Sequence, residues 1–151
     1  MTFAMLFLCS ACSDAATSPA ALLSAMAEEG KFPAGRLYDS EASDFEEHYM
    51  PSGMGETLYA IRGYDELSHV ERYAVYLGSG LDTVFEAAVF DCKDLPSVSE
   101  VSEMCRVRAA YLIETGRITD GEYAIYARGD HLFFVVGMER AMAEKFCKSV
   151  R

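Results

Sequence analysis

The chain repeats itself. Residues 73 to 107 run Tyr73-Ala-Val-Tyr76, a Gly-bearing turn, Phe85-Glu-Ala-Ala-Val-Phe90 and then a segment holding Glu103-Met-Cys105. Residues 123 to 150 run Tyr123-Ala-Ile-Tyr126, a Gly-bearing turn, His131-Leu-Phe-Phe-Val-Val136 and then a segment holding Lys145-Phe-Cys147. A repeat constrains a fold strongly, because each copy is one supersecondary unit that has to bury its apolar side against its neighbour. Each copy reads as strand, turn, strand, helix. Alternation puts Tyr73, Val75 and Leu77 on one face of their strand, and Phe85, Ala87 and Val89 on one face of theirs.

Helix punctuation agrees. Ser97 and Glu100 have capping-box spacing, and Gly116 can supply a left-handed C-terminal residue. Val98, Val101, Cys105, Ala109 and Leu112 recur at helical spacing, as do Met142, Phe146 and Val150, with Cys147 beside them. Earlier, Pro19 opens an amphipathic segment from Ala20 to Glu29, carrying Leu22, Leu23 and Met26 on one side and stopped by Gly30. Tyr38 to Tyr49 is acidic and aromatic, Met50 to Glu56 reads as a loop, and Leu58-Tyr-Ala-Ile61 reads as a short strand. The expected fold is α+β: an antiparallel sheet of four to five strands from two hairpin–helix units, helices mainly on one face, plus an N-terminal helix.

The first dozen residues carry an address. Met1-Thr-Phe-Ala-Met-Leu-Phe-Leu-Cys-Ser-Ala-Cys12 is free of charge and apolar, and a polar small-residue stretch follows. Cys9-Ser10-Ala11-Cys12 looks like a bacterial lipobox, in which small residues precede the cysteine that is lipidated and becomes the mature N-terminus. The expected division is a signal peptide over 1–11, a lipidated polar tether over 12–18 beginning at Cys12, and one domain over 19–151. The run is too short for a membrane span, which needs about 20 apolar residues. No Lys or Arg occurs before Lys31, and Leu8 stands one place early for a lipobox leucine. The alternative is therefore a soluble cytosolic domain with an apolar N-terminus.

Charge narrows the partners. Acidic residues outnumber basic ones 24 to 13, for a net charge of −11. Nucleic acid and anionic lipid both want a basic face, so no nucleic-acid partner is expected and the lipid anchor alone would hold the membrane. With Cys9 removed and Cys12 lipidated, Cys92, Cys105 and Cys147 remain. Their spacing matches no metal or redox motif; it leaves a Cys105–Cys147 disulfide open, with buried thiols the simpler expectation.

Candidate sites are sparse. His48, His69 and His131 are far apart in sequence and form no metal-binding motif, so they read as surface or hairpin histidines; no metal or cofactor is indicated. Gly78-Ser79-Gly80 lacks the spacing of a nucleophile elbow and reads as a turn. Arg128-Gly129-Asp130 matches an integrin-binding tripeptide, but a tight hairpin asks for Gly there in any case. The acids at 39, 41, 44, 46 and 47 lack the layout of a calcium loop and read as a solvated face. Tyr76 and Tyr126 occupy matching repeat positions and would line any sheet face left bare of helices, forming a ligand face for peptide or glycan. Core packing and cross-strand pairing account for the same tyrosines more simply.

Leu58-Tyr59-Ala-Ile61, Val75-Tyr76-Leu-Gly-Ser79, Glu86-Ala-Ala-Val89-Phe90 and the closing Gly129, apolar strand and helix carry a likeness. With the lipobox region, they make the chain resemble a family of small lipoproteins of clostridia-like Gram-positive bacteria, defined only as a domain of unknown function. The resemblance covers most of residues 20 to 150. It implies a membrane location on the outer face and the extent of the domain, and brings no catalytic residues. The expected function is a noncatalytic binding or accessory module of the cell envelope, working through the exposed sheet face or the acidic segment. The alternatives are a small envelope hydrolase using Glu86 with an unnamed acidic partner, and a plain structural tether.

Overall fold

The computed structural model describes residues 17–82 and 84–150; Cys12, with the whole of the expected signal peptide and lipobox, lies outside them. The elements are α1 (Pro19–Gly30), β1 (Gly35–Asp39), α2 (Met54–Tyr59), a short 3-10 turn (Leu67–His69), β2 (Val70–Gly78), β3 (Glu86–Cys92), α3 (Leu95–Glu114), β4 (Tyr123–Arg128), β5 (His131–Val136) and α4 (Arg140–Ser149). The five strands form one sheet in the order β1-β2-β3-β5-β4, with every neighbouring pair antiparallel. The two repeat hairpins thus lie side by side, joined through β3 and β5. The α+β class, the five-stranded antiparallel sheet and the N-terminal helix are as the sequence predicts.

The helices differ from expectation: they cover both faces instead of mainly one. On one face α2 and α3 pack through Tyr59, Val101, Met104, Cys105 and Leu112 onto Val75, Ala88, Phe90 and Phe134. On the other, α1 and α4 pack through Leu22, Leu23, Met26, Ala143 and Cys147 onto Ala74, Ala87, Val89, Phe133 and Val135. The residues explain this. A strand covered on one face alternates apolar and polar, whereas one covered on both is continuously apolar. Ala87-Ala-Val-Phe90 and Leu132-Phe-Phe-Val-Val136 are continuous, and every residue of both runs is buried.

Where the two repeat units part is also visible. β3 passes to α3 through Lys93 and Asp94. β5 passes to α4 through Gly137, held at φ 85 with its Cα so close to the β2–β3 loop that a Cβ would lie 1.9 Å from the Val84 carbonyl oxygen. A left-handed residue re-aims the chain after β5, and α4 is delivered to the face opposite α3.

Several local expectations shift. Leu58-Tyr-Ala-Ile61 is not a strand: Leu58 and Tyr59 end the short helix α2, and Tyr59 is needed inward against Phe90, ring centroids 5.2 Å apart. β1, unmarked in sequence, pairs along β2 from Gly35↔Gly78 to Asp39↔Ala74. The cap of α3 is Asp94 instead of Ser97; the Asp94 carboxylate accepts from the Ser97 backbone N–H at 2.8 Å and from its hydroxyl at 2.6 Å. In α4 the buried residues are Ala143 and Cys147, Val150 is buried just past the helix end, and Met142 is exposed. Gly116 closes α3 at φ 69, as predicted.

Candidate functional site

Glu86 opens β3 and faces α3, and its side chain is 1 % exposed. α3 brings Arg108 over it: Cys105 and Leu112 fix the inward face of the helix, and Arg108 stands one turn from each. Its Nε and Nη2 donate to one carboxylate oxygen, Oε2, at 3.2 and 2.8 Å. The other oxygen, Oε1, is buried with no hydrogen-bond partner, as is the hydroxyl of Tyr59. The two groups are neighbours: burial first, then the Glu86 charge, pushes the Tyr59 hydroxyl well above its ordinary pKa. Burial and the same carboxylate push up the Cys105 thiol. Tyr59, Glu86, Cys105 and Arg108 therefore form one buried polar cluster inside an apolar core.

Beside it lies a cavity of about 180 Å³ lined by Leu58, Leu77, Glu86, Arg108 and the exposed Arg117, among others. Glu86, named in sequence as an acid lacking a partner, has a basic partner and no second carboxylate in this cavity. Burial works against the Arg108 charge, but the Glu86 carboxylate beside it outweighs that and raises the guanidinium above its ordinary pKa. Arg108 was legible in principle, as an arginine on an otherwise apolar helical stripe opposite a glutamate in an apolar strand.

Tyr76 and Tyr126 do share a face and do alternate away from Tyr73 and Tyr123. That face, however, is the one α1 and α4 cover, so the bare ligand face is absent. The Tyr76 hydroxyl donates to the Pro33 carbonyl at 2.6 Å, and its ring packs with Phe32 and Phe85. Tyr126 lies against Phe133, with Lys148 Nζ 5.6 Å from its ring centre. Nor are the two together: β3 and β5 separate their strands, about 14 Å at ordinary strand spacing.

Cys105 and Cys147 are free and lie in different cores on opposite faces of the sheet, so no disulfide joins them. Burial pushes the Cys92 thiol up to about 11 and the Cys147 thiol up to about 12. Ser79 donates its hydroxyl to the Ala34 carbonyl at 3.0 Å, as a turn residue does. Arg128 is tied down by the Val150 carbonyl and lies 5.2 Å from the Phe133 ring centre, so the tripeptide it begins is not freely displayed. His69 pairs with Glu66 at 3.2 Å, while His48 supplies its carbonyl to the Asp39 N–H at 2.7 Å. His131 stands at the β4–β5 turn beside Asp91 and Asp130.

The acidic segment is an ordered projection off the β1 edge. Asp39 makes a parallel bridge to Tyr49, Ser43 N–H donates to Glu46 at 2.9 Å, and Glu41 lies 3.6 Å from Arg72. At its tip Phe45 is fully exposed. Fold and site together define an α+β domain with a helix-covered antiparallel sheet and a buried Glu86–Arg108 pair. Compared with family models, curated proteins and solved structures, this chain matches none of them.

Proposed function

We propose that this chain is a lipid-anchored extracytoplasmic domain, held at the outer face of a cytoplasmic membrane through Cys12, that works as a noncatalytic binding or accessory module of the cell envelope. Its contact surface is the acidic segment from Asp39 to Tyr49. One observation carries that surface: Phe45 is fully exposed between Asp44 and Glu46, on a loop that its own hydrogen bonds hold in place. Leaving a phenylalanine in water is unfavourable by the apolar area it exposes, and an aromatic ringed by charge is the pattern of a recognition anchor. The carboxylates flanking Phe45 in the chain, Asp44, Glu46 and Glu47, call for a basic partner.

Two further features support the reading. The residues the sequence offered to a hydrolase are committed to structure: Glu86 to Arg108 and Ser79 to Ala34, while the thiols of Cys92, Cys105 and Cys147 are buried. Among the described residues α1 is the first element and is well capped: Ser18 accepts from the Ala21 N–H at 3.2 Å and Pro19 takes the first turn. A tether of a few residues then separates Cys12 from the domain. Among the described residues no helix is long and apolar enough to cross a membrane.

A photo-crosslinking residue in place of Phe45, in the full chain expressed in its host, tests the reading. The expected result is a discrete cross-linked species in the membrane fraction that fades when Glu46 and Glu47 are changed to Lys. A membrane fraction without such a species, or one indifferent to the charge reversal, would overturn it.

A further inference from the structure

At the opposite end of β3 from Glu86, the fold brings Asp91 to the adjacent pair Asp130 and His131. Asp91 and His131 are cross-strand partners on β3 and β5, and Asp130 is the residue before His131 in the β4–β5 turn. His131 Nδ1 lies 3.3 Å from Asp91 Oδ1 and 3.6 Å from Asp130 Oδ1, and the three ligand atoms all fall within 4.8 Å of one another. Nδ1 itself is buried and meets no hydrogen-bond partner in good geometry. An imidazole proton shared with a carboxylate would align on one oxygen. Here the nitrogen sits between two oxygens and is aligned on neither.

We propose that Asp91, Asp130 and His131 bind a divalent transition-metal ion, Zn²⁺ in the first instance, through one oxygen from each carboxylate and the Nδ1 of the imidazole. The two separations from the imidazole, 3.3 and 3.6 Å, come close to those on a metal ion. With metal–ligand bonds of about 2.0–2.1 Å, two ligands on a tetrahedral ion stand about 3.3–3.4 Å apart. A mixed set of one imidazole and two carboxylates favours zinc and its neighbours over calcium or magnesium, which take oxygen alone.

The support around the ligands is that of a built site. Arg72 Nε holds the other Asp91 oxygen, Oδ2, at 2.6 Å, which turns Oδ1 toward the imidazole. The Asp91 side chain is 8 % exposed. The Asp130 carbonyl accepts from the Cys92 N–H at 2.9 Å, clamping the turn to the end of β3. Two ligands on paired strands and a third on a tight, anchored turn are preorganised, and outer hydrogen bonds that orient ligands raise affinity. Asp130 is 60 % exposed, so the ion would have a way in and open positions for water.

The test is metal titration of the full chain after chelator treatment, with Zn²⁺ followed by calorimetry and Co²⁺ by its visible spectrum. The proposal expects one saturable site, a rise in Tm with Zn²⁺, and a Co²⁺ spectrum free of a thiolate charge-transfer band. Affinity should fall at least tenfold in Asp130→Asn, an exposed change that leaves the core intact, and at least tenfold in His131→Ala. Absence of saturable binding, binding indifferent to Asp130→Asn, or a thiolate band that moves the ion to the cysteines would each overturn it.

Discussion

A carboxylate withdrawn from water has to meet a cation or give up its charge. At Glu86 the cation is Arg108, 12 % exposed, and the balance of that pair is testable. Removing one partner strands the other: Arg108→Met should destabilise the fold by about 3–5 kcal/mol in urea unfolding. The double change Glu86→Leu with Arg108→Leu should recover most of that loss, because no buried charge remains. A cumulative loss in the double variant would show that the pair does more than neutralise itself. The thiols give a second prediction. Cys92, Cys105 and Cys147 are buried with raised pKa values, so brief alkylation at neutral pH should leave all three unmodified in the folded protein and modify all three in denaturant, as read by peptide mapping. The folded state favours the protonated thiol. That contribution is complete below the unfolded pKa near 9 and is lost as pH rises through about 11 and about 12, so stability should decline on the alkaline side of pH 9.

Among the elements, the exit from β5 decides which face α4 covers. A left-handed residue with a side chain costs about 1–2 kcal/mol. Gly116→Ala, at φ 69 with open space around the new Cβ, should cost no more than that. Gly137→Ala should cost clearly more, because its Cβ would collide with the Val84 carbonyl, and it should loosen the packing of Ala143 and Cys147. Equal losses in thermal unfolding would contradict the role given to Gly137. At the start of α3, hydrogen bonds from the Ser97 hydroxyl and N–H hold the Asp94 carboxyl below its ordinary pKa of 3.8. A depressed carboxyl stabilises the fold above its unfolded pKa, and the effect disappears as pH falls below 3.8. Asp94→Ala should therefore lower stability at pH 7 and flatten this part of the acid limb.

For the molecule as a whole, the repeat made the two hairpins, the helix after each and the antiparallel sheet legible in sequence, and punctuation did the same for α1, since alternation and punctuation are local signals. The covering of both faces was legible too, in the unbroken apolar runs Ala87–Phe90 and Leu132–Val136, but alternation along β2 and part of β3 obscured it. β1 was not: Gly35-Arg-Leu-Tyr-Asp39 is strand only because the β2 edge gives it hydrogen-bond partners. The two members of the buried pair each stand out in sequence, as charges in apolar surroundings, but their pairing and the Asp91–His131 cluster do not, as both are assembled across elements by register, helix phase and turn. The proposed N-terminal address is the reverse case, resting wholly on local sequence. The central claim is that this fold is the outer part of a lipid-anchored protein, and intact mass of the protein from its native host, after separating membrane from soluble fractions, tests it most directly. The account predicts a membrane-bound species that begins at Cys12 and carries added acyl mass. A soluble, full-length species retaining Met1 would contradict it.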